Sequence, residues 1–566
     1  MDVRIAGDGP AAEAVVAALA DADVEPERVD PSEVGGATLA VVVGAVGAES
    51  FETANAAADG PWLAVELGGI GGVALSGVDA AVTGLETGAG CYDCLRARVA
   101  ANAQETGEAS VDAPTARLAG AVAGRQGVRF CADDESVVGA VTELPHQQHS
   151  FFPVPGCCTE RDHTVRHEYE DVDLDAALER AEQTLDGRVG LVSSIGEVES
   201  FPAPYYLATN SETSVFSDAS APRQAAGVHE DWNTAFMKAV GEALERYSAA
   251  VYQGSDFEQL PPKMVDGGVA PDAVVRRSDA PAVDPDQPIP WVMGENLVTG
   301  EETPIAAELA QFPPPEERYV DSITTGLGLG SSGAGALVSG LTEVVERDAT
   351  MLAWYSTFEP LALQVEDETY ETLAKRARAE GLETTALLVT QDVDVPVVAV
   401  AVHREGGEWP AFAVGSGAAL DPVAAARDGL AEALQNWMEL RSMGRAGATD
   451  EPGAIAAFAD FPSAAADFLD VSGPVPATSV GPDEVPTGED AVTELVPRLD
   501  DVGLTPYAVR LTPPDVAAAG FEAVRVVVPG AQPLFTDDPA FGERAEAVPA
   551  SLGFEARLNR RHHPYP

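Results

Sequence analysis

The segment LVSGLTEVVERDATM, residues 337–351, carries Glu343 and Glu346 in an ExxER pattern within a mostly apolar run. An i, i+3 spacing puts both carboxylates on one face of a helix, and the apolar remainder predicts that this helix is largely buried. Upstream, FMKAVGEALERYSAA (236–250) repeats the pattern with Glu242 and Glu245. Downstream, ARDGLAEALQNWMELR (426–441) supplies Glu432 and Gln435 at the same spacing. Carboxylates paired on buried helices are costly unless something positive sits against them. Two readings are open. Hard cations with nucleotide phosphates suit such oxygens. Alternatively, Glu242 to Arg246 and Glu343 to Arg347 are ordinary i, i+4 ion pairs in a chain rich in acid.

The chain has 566 residues, 45% of them hydrophobic, enough for about three to four units, or two large ones, with real cores. Wholesale disorder is excluded. Lys+Arg number 33 against 92 Asp+Glu, a formal net charge of −59. Such a surface repels nucleic-acid phosphates and anionic lipid, and neither is expected as a partner. Acid recurs from Asp2 to Glu555, and Lys238, Lys263 and Lys375 are the only lysines. The composition resembles that of salt-accumulating halophiles, where counter-ions screen the repulsion, so the acidity reports solvent rather than substrate. The opening MDVRIAGDGP lacks the basic stretch, apolar core and cleavage site of a signal peptide, and no apolar run approaches about 18 residues. A soluble cytoplasmic protein is expected.

At the N-terminus Val3–Ala6 reads as a strand, Gly7 and Gly9 as a turn, and Pro10–Ala22 as an apolar-periodic helix, followed by strands over Leu39–Val43 and Trp62–Glu66. This βαβ order predicts a small Rossmann-like domain. Ala12 occupies the third glycine position of GxGxxG, which favours a tight packing turn over nucleotide binding. A Pro- and His-rich stretch at 146–173 ends the domain. The expected units are therefore 1–165 and 166–566, the second a larger mixed α/β domain.

All five cysteines lie between Cys91 and Cys158, too few and too clustered for a disulfide framework. Cys91 and Cys94 form a CxxC knuckle, and Cys157 and Cys158 are adjacent. Thiolates from two knuckles would make a tetrahedral, structural Zn²⁺ site with no position open for chemistry. Adjacent Cys157 and Cys158 are not expected to share one metal easily, which makes His149, His163 and Cys131 alternative fourth ligands. The competing reading is a set of buried, inert thiols.

GEALERYS, TTGLGLGSSGAGALVSGLTEVVERDA (324–349) and FAVGSGAALDPVAAARDGLAEALQ (412–435) resemble, in order, the three signature blocks of YcaO domains. The resemblance runs over roughly 215–566, with the blocks inside 215–445. The chain ends RRHHPYP, similar to the proline-rich tail of azoline-forming YcaO cyclodehydratases, with His562 in place of the first proline and Pro564 and Pro566 kept. In that family the tail reaches the active site, so 560–566, with Pro564 and Pro566, joins the expected catalytic machinery. The first part resembles that of fused SagD-type proteins, a truncated ubiquitin-activating-enzyme-like fold with a zinc site. That implies Cys91, Cys94, Cys157 and Cys158 as metal ligands and a non-catalytic scaffold that recruits a peptide or partner protein.

The resemblance implies ATP- and Mg²⁺-dependent activation of a peptide-backbone amide. The amide oxygen is phosphorylated as a nucleophile attacks the carbonyl carbon, and loss of phosphate leaves a heterocycle or a thioamide. The nucleophile is the substrate's own Cys, Ser or Thr, or an external sulfur, so a partner for sulfur delivery or dehydrogenation is implied, as is a homodimer. Carried over by position, Glu242, Glu245, Glu343 and Glu346 hold Mg²⁺ and nucleotide, and Arg347 contacts phosphate. Glu432 and Gln435 line the cleft, and Arg246 orients its helix through Glu242. Two positions depart. Lys238 stands where a Ser is frequent and Gly335 where a Glu is usual, leaving Ser331 as the polar site in that loop. Either the Lys238 ammonium takes over phosphate neutralisation, or the chain is a degenerate scaffold that presents a peptide without ATP turnover. A dinucleotide-dependent oxidoreductase is disfavoured by the missing third glycine.

Overall fold

The computed structural model describes residues 2–102, 105–107, 110–145, 147–449, 454–471, 473–536, 538–560 and 562–565. The opening βαβ unit forms as read, with strands Val3–Ala6, Leu39–Ala45 and Trp62–Leu67 and the helix Gly9–Ala20. Together with Glu27–Arg28 they make the parallel half of a seven-stranded sheet. Ala80–Leu85, Ala140–Leu144 and Gln147–Ser150 extend it antiparallel. Gly7 adopts a φ of +114°, and a Cβ there would sit 2.3 Å from the Val43 carbonyl oxygen. The glycine lets the turn pack on the next strand, as the packing reading expected. Val15, Leu19, Val41 and Leu63 fill the core on one face, and Phe51, Trp62, Tyr92 and Leu95 fill the other.

Beyond residue 190 the chain builds three further sheets: three-stranded (Val192–Glu199, Tyr205–Asn210, Gln224–Val228), six-stranded and five-stranded. The six-stranded sheet includes Leu327–Gly330 and Glu522–Val527, and the five-stranded one Val397–His403 and Phe412–Ala418. Three long helices pack on them: Trp232–Ala250, Gly333–Trp354 and Pro422–Ala448. Each starts at a side-chain cap, Asp231, Ser332 and Asp421 respectively, which accepts from free N–H groups of the first turn. Their apolar faces, led by Val240 and Leu244, Leu341 and Val345, and Leu434 and Trp437, enter three different cores. Among the described residues, no helix is long and apolar enough to cross a membrane.

The N-terminal sheet is joined to the rest through Arg98, on the helix Tyr92–Ala101 that also carries Cys94. Arg98, Tyr247 and Asp515 are all 0% exposed. Arg98 pairs with Asp515 and donates to the Tyr247 hydroxyl at 2.9 Å and to the Pro153 carbonyl at 2.9 Å. The Tyr247 hydroxyl in turn donates to Asp515 at 2.5 Å. Three segments far apart in sequence thus share one buried, satisfied polar centre.

Candidate active site

The three long helices bring carboxylates within electrostatic reach of one another, and one carboxylate of each helix is braced in the same way. Glu242 accepts from the Ala226 N–H at 2.8 Å, Glu343 from the Gly326 N–H at 3.1 Å, and Glu432 from the Ser416 N–H at 2.6 Å. In every case the donor is backbone of, or just before, the strand beneath the helix. Close approach makes this reach possible: a Cβ at Gly227 would lie 2.2 Å from the Ala239 nitrogen, and one at Gly415 2.5 Å from the Ala433 nitrogen. Gly227 and Gly415 are therefore packing residues that draw helix onto strand.

Glu346 accepts from the Ser416 hydroxyl at 2.7 Å and lies 3.3 Å from Arg347, whose other nitrogen is 3.8 Å from Glu432. Arg347 thus bridges the second and third helices instead of closing an i, i+4 pair with Glu343. The i, i+4 reading does hold for Glu242 and Arg246, and Arg246 also donates to the Gln224 carbonyl. Gln435 donates to Glu439 at 3.1 Å, and the Tyr205 hydroxyl donates to the same carboxylate at 2.9 Å. Glu242, Arg246, Gln435, Glu439, Tyr205 and Leu207 line a cleft of about 810 Å³.

The cluster carries more acid than base. Burial, then the charges of Glu343 and Glu242, pushes Glu245 up to about 8. Burial first, with Glu346 beside it, pushes Glu343 up to about 7, and Glu432 rises to about 7 for the same reasons. Burial alone would lower Arg347, but Glu346, Glu432 and Glu343 outweigh it and hold the guanidinium charged. Its Nη1, the nitrogen 3.3 Å from Glu346, is buried and pairs with that carboxylate without a hydrogen bond among the described residues. A site with surplus carboxylate and a guanidinium that keeps hydrogen-bonding capacity suits a cation together with an anionic ligand.

Lys238 lies at the edge, its ammonium 2.6 Å from Asp428 of the third helix and both groups partly exposed. It staples the first helix to the third. Ser331 immediately precedes the cap residue Ser332, and Gly335 lies in the first turn, where a Cβ would meet only Ser332 Oγ at 3.3 Å and Gly330 Cα at 3.7 Å.

The described part of the C-terminal tail packs near the carboxylate cluster. His563, Pro564 and Tyr565 are buried. His563 Nε2 is 2.5 Å from the Phe535 carbonyl oxygen, and Arg560 lies 4.0 Å over the Trp354 ring. Burial lowers His563 to about 4, leaving it neutral, and burial with the nearby Glu346 and Glu432 charges holds the Tyr565 phenol protonated. Pro566 lies outside the described residues.

The four cysteines meet at one point. Cys91 Sγ is 3.6 Å from Cys94 and 3.5 Å from Cys157, Cys94 is 3.5 Å from Cys158, and all four sulfurs fall within 4.8 Å of one another. Tetrahedral zinc with Zn–S bonds near 2.3 Å needs sulfur separations of about 3.8 Å. The geometric difficulty expected for adjacent Cys157 and Cys158 is not seen, since both sulfurs lie in the group of four. A turn closed by the Cys157 N–H on the Val154 carbonyl brings both thiols to the Cys91–Cys94 knuckle. The alternative ligand His149 is instead held by Asp186 at 2.6 Å, and neither His163 nor Cys131 joins the group.

Sequence reasoning passes over Glu439, Ser416, Tyr565 and Arg525. Glu439 is findable, because it lies four residues after Gln435 on the same helical face. Arg525, a cation inside the apolar strand Glu522–Val527, is a second signal.

A family model described as YcaO cyclodehydratase, ATP- and Mg²⁺-binding, matches residues 226–532. An uncharacterized protein of Methanothermobacter thermautotrophicus is 30% identical over 206 residues, covering 35% of this chain and 53% of its own length. A Rhizobium leguminosarum bv. trifolii protein described as lying in the tfuA 3′ region is 26% identical over 275 residues, covering 44% and 61%. The chain thus aligns to less than two thirds of either relative. Among solved structures, a heterocyclase in complex with substrate and cofactor superposes with a TM-score of 0.72 at 18% identity, over 100% of this chain and 85% of the other. The YcaO protein of Methanopyrus kandleri, bound with AMPPCP and Mg²⁺, superposes with a TM-score of 0.52 at 22% identity, over 67% and 97%. The mixed α/β architecture, including the N-terminal sheet, is that of the heterocyclase.

Proposed function

Because the chain belongs to the YcaO cyclodehydratase family, we propose that it uses ATP and Mg²⁺ to activate a backbone amide of a peptide, forming an azoline ring with a Cys, Ser or Thr side chain. The observation that carries this reading is the clustering of Glu242, Glu245, Glu343, Glu346 and Glu432 with Arg347, with Glu242 also on the wall of the cleft. Glu245, Glu343 and Glu346, with Glu242 and Glu432 beside them, would hold the cation. Arg347, whose Nη1 is ion-paired with Glu346 but makes no hydrogen bond among the described residues, would take a phosphate oxygen. Bound Mg²⁺ neutralises the charge of the nucleotide phosphates. Gln435, Glu439 and Tyr205 would line the nucleoside side of the cleft. Lys238, paired with Asp428, orders the two helices that form that side. Residues 560–566, with Pro564 and Pro566, would cover the opposite side and keep water from the activated amide.

Expected is ATP-dependent loss of one water from a Cys-, Ser- or Thr-rich precursor encoded near this gene, detected by mass spectrometry. No mass change, with nucleotide bound, would favour the scaffold reading. Removing residues 562–566 should cut peptide-dependent ADP release about 100-fold, since a misplaced wall costs orientation, and should affect nucleotide affinity far less. Equal turnover in the shortened chain would remove the tail from the active site.

A second reading, thioamide formation with sulfur from a partner, is favoured by the Rhizobium relative beside tfuA, since TfuA-like proteins are sulfur-delivery partners in this family. Its product would replace oxygen by sulfur. The scaffold alternative rests on Gly335 and Lys238, but the other carboxylates and Arg347 remain in place.

We also assign residues 1–165 as a docking scaffold with a structural zinc at Cys91, Cys94, Cys157 and Cys158. Purified protein should carry one zinc per chain by elemental analysis. Cys94→Ser should reduce that to background and cost about 3 kcal/mol or more of unfolding free energy. Metal-free wild-type protein of full stability would refute it.

A further inference from the structure

Behind the carboxylate cluster lies a cavity of about 80 Å³, several times the space one water needs. Its walls are mainly aliphatic, with Val275, Ile323, Val344 and Val526 among them, and Glu308, Asp321 and Thr325 also line it. Val344 follows Glu343 in the second helix and Val526 follows Arg525 in its strand, so the cavity and the cluster share a wall.

Three lining groups have a polar atom without a hydrogen-bond partner among the described residues: Arg525 Nε, Gln311 Oε1 and Ser322 Oγ. Arg525 is buried and gives Nη1 to the Ile323 carbonyl at 2.9 Å, yet its Nε has no hydrogen-bond partner among the described residues. Nor does it form an ion pair among them, although the charges of Glu343 and Glu245 reach it. Gln311 is 4% exposed and its Oε1 is likewise unpaired. Buried polar atoms are costly to leave unpaired, and a ligand that supplies the missing partners removes the cost.

A buried donor and a buried acceptor beside an aliphatic space are the complement of one peptide residue. Its carbonyl would accept from Arg525 Nε, its N–H would donate to Gln311 Oε1, and a branched apolar side chain would fill the hole. We propose that this cavity is the subsite for an aliphatic residue of the substrate peptide next to the activated amide, with Arg525 and Gln311 gripping its backbone. The proposal rests on the peptide-activating reading and names a residue class which that reading leaves open. A carboxylate side chain would pair with Arg525 only by taking the donor that the peptide carbonyl needs, and it would also meet Glu308 and the charges of Glu343 and Glu245. An ammonium would meet Arg525. Both are less favoured there than an apolar side chain.

The test uses N-acetyl-leucine N-methylamide, with N-acetyl-aspartate N-methylamide as comparator, titrated in molar KCl into the full chain carrying labelled Ile and Val methyls. Saturable methyl shifts at Val275, Val344 and Val526 are expected from the leucine compound, with the aspartate compound about 10-fold weaker or more. Ile323 is only partly buried, so Ile323→Trp should fill the cavity without opening the core and abolish the response. Gln311→Leu should weaken it about 10-fold by removing the acceptor. No saturable shift in wild type, equal response to both compounds, or a response surviving Ile323→Trp overturns the proposal. MgATP titrated into the same wild-type sample separates the two levels. Nucleotide binding without the leucine response rejects the subsite alone, whereas loss of both rejects the peptide-activating reading with it.

Discussion

Glu343→Gln is expected to lower MgATP affinity about 100-fold, a loss near 3 kcal/mol, while the protein stays folded. Glutamine keeps an oxygen for the Gly326 N–H, so the brace survives and only the charge is removed. That charge is already held at a cost, because burial pushes Glu343 up to about 7 and Glu245 up to about 8. These values set the sign of the pH effect. A carboxyl whose folded value is raised contributes its full stability below the unfolded value near 4.3 and loses it as pH rises through the folded value. Nucleotide-free wild-type protein should therefore lose stability between about pH 5 and 8, and Glu343→Gln should flatten that decline. MgATP should reverse it and release protons on binding. Titration calorimetry in molar KCl, in buffers of different ionisation enthalpy, reads affinity and proton release together. Unchanged affinity in Glu343→Gln would remove the nucleotide from these helices.

Arg98→Ala should cost about 3–5 kcal/mol of unfolding free energy. The change strands Asp515 and Tyr247 in a fully buried site without their cation. Replacing both charges, as Arg98→Met with Asp515→Leu, should recover most of the loss, since apolar groups of similar volume need no partner. Chemical denaturation in high salt measures both. A cost below about 1 kcal/mol for Arg98→Ala would mean that the three segments are held together by apolar contact alone.

The carboxylate helices are legible in the sequence because acid at i, i+3 on an apolar face is costly without a counter-charge, which marks the position as a site. The βαβ opening is legible because its strands are Val-rich and closely spaced. Other parts depend on chain segments meeting in space. The Tyr565 phenol reaches Glu346 and Glu432 only once the tail folds back, and Ser416 contributes a backbone N–H that no side-chain pattern announces. The helix Ala113–Cys131 is hidden because it begins in a polar stretch and its repeated small residues mimic a loop, although those residues let it pack on the helix Gly9–Ala20. The adjacency of Cys157 and Cys158 suggests a geometric bar to sharing a metal, yet one turn redirects both thiols. Lys238 stands out in a chain with three lysines, but its partner Asp428 lies on another helix and cannot be read from spacing.

The three braces under Glu242, Glu343 and Glu432 have an evolutionary consequence. Each is supplied by a peptide N–H, at Ala226, Gly326 and Ser416, and any residue but proline has one. At Ala226 the side chain can drift while the carboxylate stays aimed. Gly326, at a φ of +89° with the Val526 carbonyl oxygen 2.2 Å from where a Cβ would sit, and Ser416, whose hydroxyl holds Glu346, are fixed for reasons other than the brace. A single-residue insertion or deletion there is different, because it moves the next N–H to the opposite side of the strand. The centre should therefore depend on the spacing of its floor throughout, and on its spelling at Gly326 and Ser416.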